Sequence, residues 1–139
     1  MLSHLIYVSN RLQNCTEVEI EKILNSCKKN NSQYDITGVL LYSDTKFVQY
    51  IEGEYKEIMG LYDRIKGDKR HSNPILLTSA PISQRSFPSW QMGAKKFDMA
   101  SIDFKTNVSD ADRKLFEGML SGKNAEESKA IGLIKKFFK

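Results

Sequence analysis

The chain has 139 residues, 40% of them hydrophobic and 27% charged, which fits one soluble globular domain with a core of its own and leaves no comfortable room for two. Its formal net charge of +4 admits an anionic or phosphate-bearing ligand but falls short of the basic balance of a dedicated nucleic-acid binder. No apolar run is long enough to span a bilayer, and Met1 to Leu5 show no secretory signal.

Two cysteines, Cys15 and Cys27, make no disulfide framework, so a reduced, cytoplasmic setting is expected, and the glycosylation-type triplets at Asn14, Asn30 and Asn107 then carry no weight. The first element, His4 to Ser9, reads as a central strand apolar on both faces. Thr16 to Glu19 form a capping box that opens a helix with Ile20, Ile23, Leu24 and Cys27 on one stripe, closing at Lys28-Lys29-Asn30-Asn31. Residues 35–42 give a second strand, Tyr42 to Lys46 a turn, and the third strand runs to Gly53. A second helix covers 54–67, with Tyr55, Ile58, Met59, Tyr62 and Ile65 at helical spacing. After a polar loop from Gly67 to His71 come strands at 75–79 and 89–93. The order β-α-β-β-α-β-β is an α+β fold with the ferredoxin-like arrangement plus one strand.

Residues 104–139 read as two helices, with Ser109 and Asp112 as a cap pair and Ile131, Ile134, Phe137 and Phe138 as an apolar stripe. Two helices on one face of a sheet leave the other bare, and strand parity turns Ile6, Val8, Val48 and Tyr50 toward it. The C-terminal helices are expected to cover that face; docking on another subunit is the alternative.

Gln49 is the informative residue. It interrupts Phe47-Val48-Gln49-Tyr50-Ile51, and a buried carboxamide costs several kcal/mol unless it finds partners. Parity places Tyr7 and Gln49 on the helix-covered face of neighbouring strands, Trp90 and Met92 share a face of the fifth strand, and Asn30 and Asn31 end the helix above. A few directed polar groups in an apolar slot describe a site for a planar ligand. His4 and His71 give no metal-ligand spacing with the cysteines, so no metal is assigned.

These residues resemble the BLUF family, blue-light sensors using flavin. Ile6-Tyr7-Val8-Ser9, Asn30-Asn31, Ile36 to Leu41, Phe47 to Gly53, Asp68-Lys69-Arg70-His71 and Phe87 to Met92 match its motifs in order, from about residue 3 to 95. The resemblance implies a sensor domain over residues 1–97, with 98–139 a helical extension of the same unit. It implies a non-covalent FAD, with FMN open, between the two helices. Tyr7 and Gln49 would be the photochemical pair and Trp90 and Met92 the mobile residues beside them. Asn31 would hold the pyrimidine edge with Asn30 next to it. Arg70 and His71 would reach the far edge and ribityl chain, Asp68 and Arg64 lie nearby, and Ile23 and Ile65 join the cofactor-binding set. Light would move an electron and a proton from Tyr7 through Gln49, leaving Gln49 rotated or imidic. The output would be contact with a downstream protein partner, not enzymatic activity, and the apolar C-terminal stripe favours a homo-oligomer.

Two other classes share the topology. An acylphosphatase-like enzyme needs an arginine cradle at the first loop, for which Arg11 is the candidate. An RNA-binding module needs aromatics on an open sheet face, where Tyr50 stands without a matching motif.

Overall fold

The computed structural model describes residues 1–89, 92–97, 110–123 and 126–138. The elements are β1 (Leu2–Arg11), α1 (Glu17–Tyr34), β2 (Thr37–Tyr42), β3 (Lys46–Glu54), α2 (Tyr55–Lys66), β4 (His71–Pro81), β5 (Gly93–Lys96), α3 (Asp110–Leu120) and α4 (Glu127–Lys136). The sheet order is β4-β1-β3-β2-β5, the ferredoxin-like order extended by β5, which runs parallel to β2. The fold is therefore α+β, as the element order implies.

Alternation along β1 and β3 divides the core in two. Leu5, Tyr7, Phe47 and Ile51 pack under α1 and α2 with Ile20, Ile36, Leu40, Ile58 and Tyr62. Ile6, Val8, Val48 and Tyr50 face the other way, and Phe116 and Met119 of α3 with Leu133 and Ile134 of α4 pack on them. The ring of Phe116 stands 5.0 Å from Phe97 and 4.9 Å from Phe137, so aromatic contacts pin both helices over the second face.

Several boundaries differ from the sequence reading. Helix α1 runs one turn past Asn30-Asn31 and ends at Asp35, whose φ of 54° supplies the left-handed cap. Asn31 is thereby turned inward and buried, and Asn30 points to solvent. The Thr16 hydroxyl accepts from the Glu19 amide as expected, while the Glu19 carboxylate lies 3.6 Å from the Lys22 ammonium. Strand β4 begins at His71, four residues early. It is an edge strand, where Pro74 and the left-handed Asn73 (φ 54°) are taken up as a register shift against β1 between Val8 and Asn10. Strand β5 starts after Met92, so Met92 precedes the strand; Trp90 and Ser109 lie outside the described residues.

Two positions carry unusual cost. At Gly38 a β-carbon would stand 2.0 Å from the Tyr50 carbonyl oxygen, so only glycine lets β2 close on β3. His4 is fully buried on the second face, stacked 5.7 Å from the Tyr50 ring and 3.5 Å from the Glu127 carboxylate of α4. Neither ring nitrogen has a hydrogen-bond partner among the described residues. Burial holds its imidazole below the ordinary 6.5, with Glu127 and Glu52 pulling the other way.

Gly38→Ala is expected to lower stability by about 2 kcal/mol or more, read as a lower urea midpoint at unchanged slope. Because the unfolded chain takes up the His4 proton more readily than the folded one, its contribution to stability is complete above about pH 6.5 and shrinks as pH falls below that. His4→Leu should therefore flatten the loss of thermal stability between about pH 7 and pH 5 relative to the parent; an unchanged pH slope would refute this account of His4.

Candidate functional site

Between α1, α2 and the sheet lies a narrow, mostly apolar cleft with a cavity volume of about 70 Å³. Ile23, Leu40, Phe47, Leu61 and Ile65 form its apolar walls, Tyr7 and Gln49 its floor, and Asp68, Arg70 and His71 one rim.

Tyr7 and Gln49 are direct partners in the β1–β3 register, and Leu40 faces Gln49 from β2. The Tyr7 hydroxyl donates to Gln49 Oε1 at 2.6 Å, and Gln49 Nε2 donates to the Met92 sulfur at 3.4 Å. A thioether is a weak acceptor, so the amide holds a short strong bond on one side and a soft one on the other. The ring of Tyr62 lies 5.4 Å from that of Tyr7. Burial raises the Tyr7 phenol far above its usual range, with Cys27, Tyr62 and Asp68 adding to the rise, so it stays protonated in the resting protein.

At the rim, Arg70 makes a two-pronged pair with Asp68, Nε to Oδ1 at 3.0 Å and Nη2 to Oδ2 at 2.6 Å, which lowers the Asp68 carboxyl below its usual range. His71 is held at both ring nitrogens: Nε2 donates to the Ile65 carbonyl at 2.6 Å, and in the neutral ring Nδ1 accepts from the Ser9 hydroxyl at 2.8 Å. His71 lines the cleft with both ring nitrogens already engaged by the protein. Three other expected residues do not line the cleft. Arg64 stands 5.9 Å over the Tyr34 ring, Asn30 is exposed, and Asn31 is buried in the last turn of α1.

Leu40, Leu61 and Cys27 complete the walls. Cys27 and Leu61 fall on the inner helical stripes, and Leu40 has the parity of its neighbour Gln49, so periodicity was the available signal. The Cys27 thiol is pushed up to about 11 by burial, against the pull of Arg70.

Both alternatives conflict with this geometry. Arg11 is spent on the loop, donating to the carbonyls of Cys15 and Ser43, each at 2.8 Å, and cradles no phosphate. The sheet face that an RNA module would leave open lies under α3 and α4.

The family model described as "BLUF: Sensors of blue-light using FAD" matches residues 2–93. The chain belongs to the BLUF family. Domains of this family are sensors of blue light that use a flavin. Among relatives, it is 31% identical over 99 residues to the photoactivated adenylate cyclase subunit beta of Euglena longa, covering 70% of this chain and 12% of that one. It is likewise 31% identical over 99 residues to the blue light- and temperature-regulated antirepressor BluF of Escherichia coli K12, covering 71% of this chain and 24% of that one. The chain thus spans about an eighth of the cyclase subunit and a quarter of the antirepressor. The structure of BlsA in its photo-activated state superposes with a TM-score of 0.76 at 24% identity, over 97% of this chain and 93% of that one, and shows the same fold. Among the described residues no helix is long and apolar enough to cross a membrane, and no group of three potential ligands is placed to hold a metal.

The elevated Cys27 thiol gives a direct check of the cleft. Its alkylation by iodoacetamide, followed by mass spectrometry of the Cys27 peptide, is expected to be slow at pH 8 and to rise roughly tenfold per pH unit up to about 10. Rapid modification at pH 7 would contradict it.

Proposed function

We propose that residues 1–97 form a photosensor that binds FAD non-covalently in the α1–α2 cleft, and that residues 98–139 extend the same unit and carry its output. The residues suit a flavin: flat apolar walls for a planar ring, a phenol and a carboxamide at one edge, and a guanidinium and a carboxylate at another. Tyr7, Ile23, Gln49, Ile65, Asp68, Arg70 and His71 would hold it, with Asn31 beside them and Asn30 and Arg64 at the outer margin. FAD is preferred on the family description, with FMN the alternative that mass analysis of the released chromophore separates. Two free cysteines suit a cytoplasmic setting.

Flavin, when bound, supplies a chromophore that becomes a strong oxidant on absorbing blue light. The remaining steps belong to the protein. Tyr7 cannot ionise in its buried position, so an electron leaves it only together with the proton, which travels along the 2.6 Å bond toward Gln49 Oε1. Both return when the state relaxes, and Tyr7 ends as it began. Gln49 does not: rotated or imidic, it offers different atoms to its neighbours. Rotation turns Nε2 toward Tyr7 and Oε1 toward the Met92 sulfur, which has no hydrogen to give. Met92 therefore loses its bond. One hydrogen bond is worth about 1 kcal/mol, a roughly fivefold shift in a balanced equilibrium, which suits a signal passed by contact to a partner protein, with Trp90 in the same segment and a homo-oligomer as a platform.

The observation that carries this reading is the chain Tyr7–Gln49–Met92 across the floor of an apolar cleft. Absorption spectra before and after blue illumination test it. Tyr7→Phe and Gln49→Leu should each bind flavin and show no lasting red shift. Met92→Leu should still shift, but return in the dark about fivefold more slowly, because the acceptor that draws the amide back is gone. A normal photocycle in Tyr7→Phe would refute the mechanism.

A further inference from the structure

Glu52 lies on the face of β3 away from the cleft, fully buried beneath the segment that follows β4, and no step above uses it. Its two oxygens accept four hydrogen bonds. Oε1 receives the Tyr50 hydroxyl at 2.7 Å and the Ser86 amide at 2.8 Å; Oε2 receives the Phe87 amide at 2.7 Å and the Thr37 hydroxyl at 3.1 Å. Two donors on each oxygen suit a carboxylate and no other side chain of this size, since an amide would set its own hydrogens against the donors at one end. The compensating charge stands one hydrogen bond away. Arg85 donates to Thr37 Oγ1 at 2.8 Å, to the Glu52 carbonyl at 3.2 Å and to the Asp35 carbonyl at 2.7 Å. Residues 85–87 are thus gripped by β2 and β3 along their backbone and from their solvent side.

That segment leads to the cleft. Phe87 belongs to the core on the second face, packed edge-on to Tyr50 at 5.6 Å, whereas Met92, five positions on, belongs to the core on the cleft side. Five residues reach at most about 18 Å, so a fixed Phe87 bounds where Met92 can stand.

We propose that Glu52 is a positioning residue for the light response: its carboxylate grips the Ser86 and Phe87 amides and thereby holds Met92 against Gln49. The inference rests on the photosensor reading above. Loosening the grip leaves Tyr7 and Gln49 in place, so light still produces the shifted state. It weakens the pull that returns the amide to its resting bond with the Met92 sulfur.

The test uses the full chain loaded with flavin. Glu52→Gln keeps the shape but points an NH2 group at amide or hydroxyl donors. Flavin is expected to stay bound and the red shift to form, while dark return slows at least about fivefold and the light-minus-dark emission of Trp90, the chain's single tryptophan, changes. Arg85→Gln loosens the same segment from outside; it should slow return by a smaller factor, and it answers the question if Glu52→Gln fails to fold. Phe116→Leu in α3, a core change that costs stability without touching the segment, should return at the parent rate. Parent-like return in both Glu52→Gln and Arg85→Gln, with a normal shift, overturns the role of Glu52 and leaves the sensor intact. A flavin-loaded parent that shows no shift overturns the sensor reading itself.

Discussion

The structure depends on one cross-strand pair. Because β1 and β3 run antiparallel with Tyr7 opposite Gln49, a phenol and a carboxamide meet at 2.6 Å on a face that is mostly apolar around them. A one-residue slip of either strand would send one of them to the other face, where α3 and α4 pack. The register is secured on both faces at once: Leu5, Phe47 and Ile51 under α1 and α2, and Ile6, Val8, Val48 and Tyr50 under the C-terminal helices. Burial on both sides makes the position of this single bond expensive to change.

The second constraint is the unequal pair of partners that Gln49 is given. A short bond from Tyr7 fixes the oxygen end, and a thioether at 3.4 Å holds the nitrogen end only softly. An amide secured equally at both ends would resist reversal, and an amide held at neither would have no defined resting state. The sulfur keeps the orientation defined while leaving it inexpensive to reverse. The surrounding polar groups are tied more firmly. His71 is bound at both nitrogens and Arg70 at two of its donors, so the rim is held by more and stronger bonds than the nitrogen end of Gln49.

Much of this was legible in the sequence, for a physical reason. Strand parity places Tyr7, Gln49, Ile6 and Tyr50 without ambiguity, because both faces are buried and the period of two has no slack. Helical stripes likewise identify Ile23 and Ile65. Misreadings arise where local chemistry imitates a different signal. Lys28-Lys29-Asn30-Asn31 has the composition of a helix end, yet the left-handed cap is taken by Asp35 one turn later. The polar run from Gly67 to His71 reads as a loop and the strand is expected only at 75–79, but on an edge Asn73 and Pro74 are absorbed as an irregularity and β4 begins at His71. Gly93-Ala94-Lys95-Lys96 lacks every residue type favoured in strands, and it pairs with β2 only because the topology brings it there. The ties on His71 and the stacking of Arg64 on Tyr34 are tertiary facts, invisible to spacing. So is the fourfold grip on Glu52, whose neighbours in the sequence give no hint that residues 85–87 return to it.

The irregular outer margin of β4 has a meaning for how copies of this chain can meet. A sheet border normally offers a ladder of free amides and carbonyls to any passing strand, and fusion of such borders is a common route to uncontrolled assembly. Here Pro74 lacks an amide hydrogen and Asn73 twists the backbone out of the pleat, so that border is blunted near its start. Crowding of the protein along that flank is opposed by the backbone itself.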